Sequence, residues 1–361
     1  MKSKVLIIGF TKIRYMPYLT FYLNAIDTEK NDVTLFYWNR DENPDIEPSK
    51  SITTKMFHFV MRDSEPKYRK IPAFLKFRKA VIKELCQTHY SFIIVLHTLP
   101  GVLINDVLLR NYKGRFILDY RDYTYEKIGI YKKIIENLAR AARVTFVSSN
   151  AFRSYLPQLD NIYTSHNITL NTLENRPKNR SLQYKPIRIR YWGLIRYAKT
   201  NIRIIKQIKN DDRFEMHFHG RMQGEAEEIQ RYCKDNCVNN VFFHGEYKPN
   251  ERIDFARETD LIQNAQDYDE ITKNAVSNKF YDGAIFYIPQ LCTDISFMGQ
   301  CLKKYGLGLP FDSGADNIAD QIYYYISRLN YEQFKRSCDA YVEEVLREYQ
   351  TGIKILKELL G

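Results

Sequence analysis

Short apolar segments alternate with helical patterns along this chain, and that alternation constrains its fold more than any other feature. The strands predicted in the first half lie at 4–9, 33–37, 91–96, 115–119 and 144–147. Helical patterns fall between them, as at 103–110 and 125–142. Strands and helices in alternation are typical of βαβ units, which build parallel sheets.

The alternation stops in a polar stretch with two prolines, at 171–186, and then resumes. The strands predicted after it lie at 187–192, 214–219, 241–244, 259–262 and 286–289. We therefore expect an α/β protein with two Rossmann-like parallel-sheet domains. The expected parts are a first domain at 1–168, a linker at 169–186, a second domain at 187–330 and C-terminal helices at 331–361.

The chain has 361 residues, six scattered cysteines and no apolar run near the length of a membrane span. The apolar start at 5–8 is followed at once by Lys12 and Arg14, which favours a first strand over a signal peptide. Cysteines without a disulfide framework suit a reducing compartment. We expect a cytoplasmic protein.

One group of cysteines and histidines contains the residue types of a zinc site. Cys233 and Cys237 lie close together in the sequence, and His217, His219 and His244 are near them. The first two histidines alternate along a predicted strand, whereas both cysteines fall on a predicted helix. We therefore expect no metal at these residues.

The formal net charge of +11 favours anionic partners, which include nucleic acid, acidic membrane and phosphorylated small molecules. The basic residues are spread over both halves, and no known nucleic-acid motif appears. The pattern therefore favours a phosphorylated small molecule, with a basic nucleic-acid-binding protein as an alternative.

The strand predicted at 187–192 ends at Gly193, and Arg196 and Lys199 follow before a helical pattern. A glycine at such a turn lets a phosphate approach the backbone, and a helix N-terminus offers N–H groups and its dipole. Two basic side chains can neutralise a diphosphate there. The alternative is an ordinary glycine turn with solvated basic residues.

Two later stretches carry comparable residues. Gly220 and Arg221 directly follow the next predicted strand. Asn278 and Lys279 open a predicted helix, and Asp282 lies one turn further along it. Such a helix start suits an anion, and the carboxylate suits the two hydroxyls of a ribose.

In their order, these stretches resemble the donor domain of retaining GT-B glycosyltransferases: G-x-x-R-x-x-K, a strand ending in G-R, N-V-x-F-H-G, and N-K-F-Y-D before a strand with proline. The resemblance covers most of 187–312. It is to the large family-4 class, which includes capsule and lipopolysaccharide enzymes of bacteria. It implies a GT-B fold, in which two Rossmann-like domains face a cleft.

The resemblance implies donor-binding roles in the second half, because this family holds the diphosphate with a glycine loop and a basic pair, and the ribose with an acidic residue. The implied diphosphate residues are Gly193, Arg196, Lys199, Asn278 and Lys279, and the implied nucleotide and ribose residues are Gly220, Arg221 and Asp282. Two positions depart from the family pattern. Asp282 stands for the usual Glu, and Asn274 stands for a second Glu.

The first half resembles the same family more loosely. The family commonly has a histidine just after the strand that corresponds to 91–96, facing the donor sugar, and His97 matches it as the implied catalytic residue. Arg121, Asp122 and, in the first loop, Arg14 match positions that contact the acceptor. The alternative for Arg121 and Asp122 is a structural pair with each other.

Residues 67–83 form a basic amphipathic pattern that includes Lys70, Lys76, Arg78 and Lys79. Such a pattern is typical of a membrane-surface helix, and equally of a surface helix with one face on the core. Members of the family often dock on the inner membrane through a basic helix of this domain. The resemblance therefore implies docking at the inner face of the cell membrane.

Together these features predict a retaining glycosyltransferase that moves a sugar from a nucleotide-diphosphate donor to a lipid-linked saccharide in bacterial surface polysaccharide synthesis. No D-x-D motif stands where a GT-A enzyme would need one, so we expect no metal or cofactor, with Arg196 and Lys199 meeting the leaving-group charge. Alanine at either position is predicted to lower turnover strongly. The alternatives are a GT-B-fold sugar-nucleotide epimerase and the nucleic-acid-binding protein.

Overall fold

The structure is a computed structural model, and the residues it describes are 2–50, 52–61, 66–177, 180, 185–222, 224–248, 250–312 and 314–361. The chain divides into two compact units. The first unit comprises Met1–Asn167 and Leu346–Gly361, and the second comprises Ile168–Val345. Part of the predicted linker at 169–186 lies outside the described residues.

The first unit is built on a parallel sheet in the order β3-β2-β1-β4-β5-β6-β7. Its strands are β1 (Ser3–Ile8), β2 (Asn31–Asn39), β3 (Thr53–His58), β4 (Phe92–Leu96), β5 (Phe116–Tyr120), β6 (Val144–Val147) and β7 (Ile162–Thr164). Its helices are α1 (Leu19–Ala25), α2 (Lys67–Gln87), α3 (Thr98–Leu103), α4 (Asn105–Asn111) and α5 (Gly129–Ala141), with short 3-10 helices at Ile13–Tyr15 and Asn150–Tyr155.

Burial explains which of these strands the sequence predicts. β5 and β6 are buried along their whole length, and the last four residues of β1 are buried as well, so apolar residues dominate these strands. β3 lies at the sheet edge, and none of its residues is fully buried. β7 has only three residues. The apolar pattern therefore misses both.

The second unit holds a parallel sheet in the order β10-β9-β8-β11-β12-β13. Its strands are β8 (Ile187–Trp192), β9 (Phe214–His219), β10 (Val241–Gly245), β11 (Leu261–Gln263), β12 (Gln290–Thr293) and β13 (Gly308–Phe311). Its helices are α6 (Ala198–Ile208), α7 (Glu225–Asp235), α8 (Glu251–Arg257), α9 (Asn278–Ile285), α10 (Phe297–Tyr305), α11 (Ile318–Ser327) and α12 (Tyr331–Leu360), and a 3-10 helix at Leu170–Asn175 precedes them.

The strand predicted at 286–289 is wrong. Phe286 is the C-cap residue of α9, and its amide donates to the Asp282 carbonyl (2.8 Å). Tyr287 then takes a left-handed conformation with φ of 55°, and the strand starts only at Gln290. A short apolar run suits a buried helix end as well as a strand, so the pattern could not separate them.

The end of α12 belongs to the first unit. The Tyr349 ring lies 5.0 Å from the Phe21 ring, edge to face. A Cβ atom on Gly352 would come within 2.7 Å of Phe21, so only glycine allows this close approach. Asn31 donates to the Leu360 carbonyl (2.7 Å). These contacts hold the last turns of the chain on the first unit.

Candidate functional site

A cavity of about 390 Å³ lies at the carboxyl edge of the second sheet. It is formed where β8 ends, beside the N-terminus of α9. Five residues predicted to bind a donor line it: Gly193, Arg196, Asn278, Lys279 and Asp282. Ligands of parallel sheets bind beyond the carboxyl ends of the strands, so this second-unit cavity is the candidate nucleotide site.

Lys279 places a buried ammonium group in the second-unit cavity. Its Nζ donates to the Trp192 carbonyl (3.2 Å) and lies 3.8 Å from the centroid of the Tyr191 ring. Burial lowers the pKa of Lys279 to about 7, and the nearby Asp282 carboxylate opposes that effect. An anion beside Nζ would favour the protonated form. The charge of this lysine therefore depends on what the cavity holds.

The N-terminus of α9 offers backbone donors to the same cavity. Its N-cap residue, Ser277, is extended, and the hydroxyl donates to the Asn264 side chain (2.8 Å) without capping the helix. No acidic residue stands in the first turn. The first N–H groups of a helix have no partners within it, and with the helix dipole they form a site for an anion.

The N-terminus of α6 already binds two carboxylates. The Ala198 amide donates to Glu225 Oε2 (2.8 Å). Thr200 donates to Asp267 Oδ1 from its amide (3.2 Å) and from its hydroxyl (2.5 Å). Lys199 is exposed on α6 and is not among the described residues that line the cavity. The helix start that the sequence assigns to a diphosphate is therefore capped by the protein itself.

Asp282, the predicted ribose residue, is buried and has two neighbours that the sequence analysis does not identify. Trp192 Nε1 donates to Asp282 Oδ2 (3.1 Å), and Arg252 Nη1 lies 3.7 Å from the same oxygen. Burial raises the pKa of Asp282, and Arg252 opposes that rise. Arg252 also donates to Thr172 Oγ1 (3.0 Å). Trp192 directly precedes Gly193 at the end of a predicted strand, and this position could have identified it as a candidate site residue. No local sequence feature distinguishes Arg252.

Gly220 and Arg221 are not among the described residues that line the cavity. A Cβ atom on Gly220 would lie 1.9 Å from the Gly193 carbonyl oxygen, so the glycine permits two backbone segments to pack closely. Arg221 Nε is 3.0 Å from Glu246 Oε1 in a largely exposed ion pair. Both residues, which the sequence predicts to bind the nucleotide, thus contact other parts of the protein at this strand end.

A second cavity, of about 310 Å³, lies at the carboxyl edge of the first sheet. His97 and Asp122 line it, with His97 Nδ1 3.9 Å from Asp122 Oδ2. His97 follows β4 with φ of 76° and ψ of 155°, a conformation that is costly for a residue with a Cβ atom. Burial lowers the pKa of His97, and Asp122 opposes that effect. This first-unit cavity therefore presents a neutral imidazole at pH 7.

Arg121 and Arg14, predicted to contact an acceptor, are held by the protein. Arg121 is buried, and its Nε donates to Asp119 Oδ2 (2.8 Å), so its ion-pair partner is Asp119 and not Asp122. It also donates to the Ser165 carbonyl (2.9 Å). Arg14 lies at the surface, where its guanidinium donates to Asp45 Oδ1 (3.3 Å) and to the Pro44 carbonyl (2.7 Å).

The four basic residues predicted to dock on a membrane have different environments on α2. Arg78 forms a bidentate ion pair with Asp106, with both distances 2.8 Å. Lys70 is half-buried and lines the first-unit cavity. Lys76 and Lys79 are exposed. No helix in the described part of the chain has the length and hydropathy needed to cross a bilayer.

Of the residues considered for zinc, His217 and His219 both lie beside His244. His217 Nδ1 lies 3.1 Å from His244 Nε2, and the rings of His219 and His244 are stacked at 4.3 Å. Cys233 is buried in the core, and Cys237 is exposed. Among the described residues, no group of three or more His, Cys, Asp or Glu side chains is placed to hold a metal ion.

Comparison with known proteins identifies the fold. No protein-family model and no curated protein matches the sequence. Sucrose-phosphate synthase from Thermosynechococcus elongatus matches the structure with a TM-score of 0.73 at 12% identity, over 99% of this chain and 98% of that one. HepE from Anabaena, in complex with UDP and glucose, matches with a TM-score of 0.67 at 11% identity, over 98% and 99%.

A third match is the lipopolysaccharide outer core galactosyltransferase WaaB, with a TM-score of 0.66 at 12% identity, over 97% of this chain and 99% of that one. These structures share an architecture of two Rossmann-like parallel-sheet domains that spans the whole chain. The prediction of a GT-B fold with a helical C-terminal tail is therefore confirmed.

Proposed function

We propose that this GT-B-fold protein is a glycosyltransferase that moves a sugar from a nucleotide-diphosphate donor to a saccharide acceptor. The observation that carries the proposal is the convergence of Arg196, Asn278, Lys279 and Asp282 on one cavity at the carboxyl edge of the second sheet. Two similar structures add support, since HepE is in complex with UDP and glucose and WaaB is a galactosyltransferase.

In this proposal the donor diphosphate binds at the N-terminus of α9. The backbone amides of Asn278 and Lys279 donate to its oxygens, Lys279 Nζ lies beside it, and Arg196 closes the site from the loop after β8. Charges in a buried site interact more strongly than in water, and a preorganised site needs no reorganisation as the leaving group gains charge. The proposal therefore requires no metal or cofactor.

Asp282 binds the ribose hydroxyls of the donor. Trp192 and Arg252 fix the orientation of its carboxylate, since both approach Oδ2. An oriented carboxylate accepts two hydroxyl hydrogen bonds at little entropic cost. The similar family has a longer glutamate at the position of Asp282. In this proposal Trp192 and Arg252 hold the shorter aspartate in the orientation that the ribose needs.

The acceptor binds to the first unit, and its hydroxyl attacks the anomeric carbon on the face from which the diphosphate leaves, so configuration is retained. The bond from the anomeric carbon to the acceptor oxygen forms as the bond to the diphosphate breaks, and the hydroxyl proton passes to the departing phosphate oxygen. His97, as a neutral imidazole, hydrogen-bonds a sugar hydroxyl during this step.

We further propose a lipid-linked acceptor of bacterial surface polysaccharide synthesis, capsule or lipopolysaccharide, reached at the inner face of the cell membrane by a cytoplasmic protein. α2 supports this, because Tyr68, Ile71 and Leu75 lie on one exposed stripe with Lys76 and Lys79 beside it. Each exposed lysine would contribute about 1 kcal/mol at an anionic surface.

A sedimentation assay with vesicles tests this membrane surface. We expect binding to anionic vesicles and none to neutral ones, and loss of binding when Leu75→Ser is combined with Lys79→Gln. Arg110→Gln, a charge change in α4 outside α2, is the control. Equal binding of all three proteins would contradict the docking surface.

A thermal-unfolding panel with UDP, GDP, CMP and dTDP sugars tests the donor. One class should stabilise the protein by about 2.7 kcal/mol at 100 times its dissociation constant. Lys279→Met should lose that response. No stabilisation by any donor contradicts the proposal, and nucleotide release that needs no acceptor would favour an epimerase instead.

A further inference from the structure

Gln266 is a buried residue in the wall of the second-unit cavity, and its side-chain amide has no hydrogen-bond partner among the described residues. Only 8% of its surface is exposed. A buried polar side chain without a partner lowers stability unless a ligand or water pairs with it. The other buried polar side chains in the described part of this wall all have partners, namely those of Tyr191, Trp192, Lys279 and Asp282. Gln266 is therefore a candidate for direct contact with the bound substrate.

The backbone of Gln266 is fixed by a single hydroxyl group. Thr293 Oγ1, at the end of β12, accepts from the Gln266 amide (2.8 Å) and donates to the Gln266 carbonyl (2.6 Å). Thr293 is itself buried. Both backbone groups of Gln266 are therefore satisfied, and its side chain is presented to the cavity from a fixed position. A side chain held in this way binds a ligand at low entropic cost.

Polar side chains close to Gln266 in the sequence are used within the protein. Asp267 Oδ1 accepts from the Thr200 hydroxyl (2.5 Å), which joins the loop after β11 to the start of α6. Asn264 Oδ1 accepts from the Ser277 hydroxyl (2.8 Å), which joins the same loop to the start of α9. Both side chains hold neighbouring elements in place. The side chain of Gln266, which lies between them, remains for a ligand.

Gln266 and the proposed ribose residue lie at different strand ends. Asp282 is one turn into α9, beside Trp192 at the end of β8. The N-cap residue of α9, Ser277, is bonded to Asn264 at the end of β11, the strand that Gln266 follows. The diphosphate of a sugar nucleotide separates the ribose from the sugar. With the ribose at Asp282 and the diphosphate at the first turn of α9, the sugar is directed to the end of β11.

The chemistry of a carboxamide suits a sugar hydroxyl. Both groups donate and accept hydrogen bonds, and neither is charged. Phosphate oxygens, in contrast, mainly accept at neutral pH. A buried group that hydrogen-bonds one hydroxyl discriminates against sugars in which that hydroxyl is absent or displaced, because the group is then left unpaired.

We propose that Gln266 selects the donor sugar by hydrogen bonding one of its hydroxyl groups. This inference rests on the proposed transfer reaction and adds a residue that determines which sugar is moved. The sugar therefore lies between the first turn of α9 and the loop after β11.

Titration calorimetry tests the inference by comparing each nucleoside diphosphate with its sugar derivative. The pairs are UDP with UDP-glucose and UDP-galactose, GDP with GDP-mannose, and dTDP with dTDP-glucose. For at least one pair, Gln266→Met should weaken binding of the sugar nucleotide about tenfold and change that of the diphosphate less than about twofold. Methionine is similar in length to glutamine but cannot replace these hydrogen bonds. Gln266→Ala, which adds no bulk, should give the same change.

Gln300→Met is the matched control, because Gln300 is exposed on α10 of the same unit and is not among the described residues that line the cavity. It should leave every affinity unchanged. The Tm of ligand-free Gln266→Met should be no lower than that of the wild type, because the side chain makes no hydrogen bond within the described protein. A Tm well below wild type in both Gln266→Met and Gln266→Ala would give Gln266 a structural role and overturn the inference.

An unchanged ratio of the two affinities for every pair in Gln266→Met would refute the inference alone. Equal weakening of a diphosphate and its sugar derivative would assign Gln266 to the diphosphate, and this result would also overturn it. Wild-type protein that binds none of the diphosphates or sugar nucleotides would contradict the proposed function and, with it, this inference.

Discussion

The N-termini of α6 and α9 both follow loops at the carboxyl edge of the second sheet, yet only one of them is open to a ligand. Glu225 and Asp267 accept hydrogen bonds from the first turn of α6. The first turn of α9 has no acidic residue and contains the buried Lys279. Both helix starts look suitable for an anion in the sequence. Side chains distant in sequence therefore decide which helix start already has its N–H groups paired with carboxylates.

The largest expected effect comes from removing the buried cation at α9. Lys279→Met should weaken binding of the sugar nucleotide by about 100-fold, because losing one partner of a buried charge pair costs roughly 2–5 kcal/mol. The fold should survive, since the Asp282 carboxylate keeps Trp192 and Arg252 as neighbours. Titration calorimetry measures the affinity, with Lys199→Met on α6 as the matched control. Equal losses in both variants would remove the distinction between the two helix starts.

Donor binding should also depend on pH, because it involves the buried Lys279 of α9. The pKa of Lys279 is about 7 without ligand, and a bound diphosphate raises it, so binding takes up a proton. Affinity should therefore be highest below pH 7 and fall by up to tenfold per pH unit above it, until the pKa of the bound state is reached. Lys279→Met should abolish this slope. A wild-type affinity that is flat between pH 6.5 and pH 9 would show that the diphosphate does not contact Nζ.

Arg196→Ala should have an intermediate effect, because this arginine lines the cavity but is exposed. A charge-assisted hydrogen bond near solvent contributes about 1–2 kcal/mol, so we expect a loss of donor affinity of roughly 5- to 30-fold. Lys199→Ala should change affinity less than threefold. A larger effect at Lys199 than at Arg196 would favour α6 as the diphosphate site.

The smallest effect is expected from uncapping α6. Asp267→Asn should lower the stability of the protein by about 1 kcal/mol, because a charged cap at a helix N-terminus is lost, and should lower Tm by roughly 2–4 °C. Donor affinity should stay within about twofold. A marked gain in affinity for the donor would instead reveal α6 as a second anion site that Asp267 normally occupies.

The sequence predicts the bounds of β8 and β9 correctly, because apolar residues recur at every second position from the start of each strand and a glycine directly follows each. It also names five of the residues that meet in the second-unit cavity, since all follow predicted strands or open a predicted helix. It cannot identify Arg252, which lies in no recognisable motif and reaches the cavity only through the packing of the second unit.

The sequence is also limited in the roles that it can assign to residues at strand ends. Arg121 and Gly220 look like ligand-binding residues because they follow strands, but one is a buried partner of Asp119 and the other makes room for the Gly193 carbonyl. Strand-end residues bind ligands or hold neighbouring loops, and the local pattern is the same for both. Only the contacts with other parts of the chain separate the two cases.

The alternation of strands and helices, the two parallel sheets and the polar residues at their carboxyl edges can all be predicted from the order of residues. That follows from local hydrophobic periodicity, which depends on near neighbours in the chain. Tertiary contacts are needed to show that Glu225 and Asp267 cap α6, whereas the first turn of α9, which contains Lys279, has no acidic residue. That choice depends on charges brought together from distant positions, whose interaction is set by burial and distance in space.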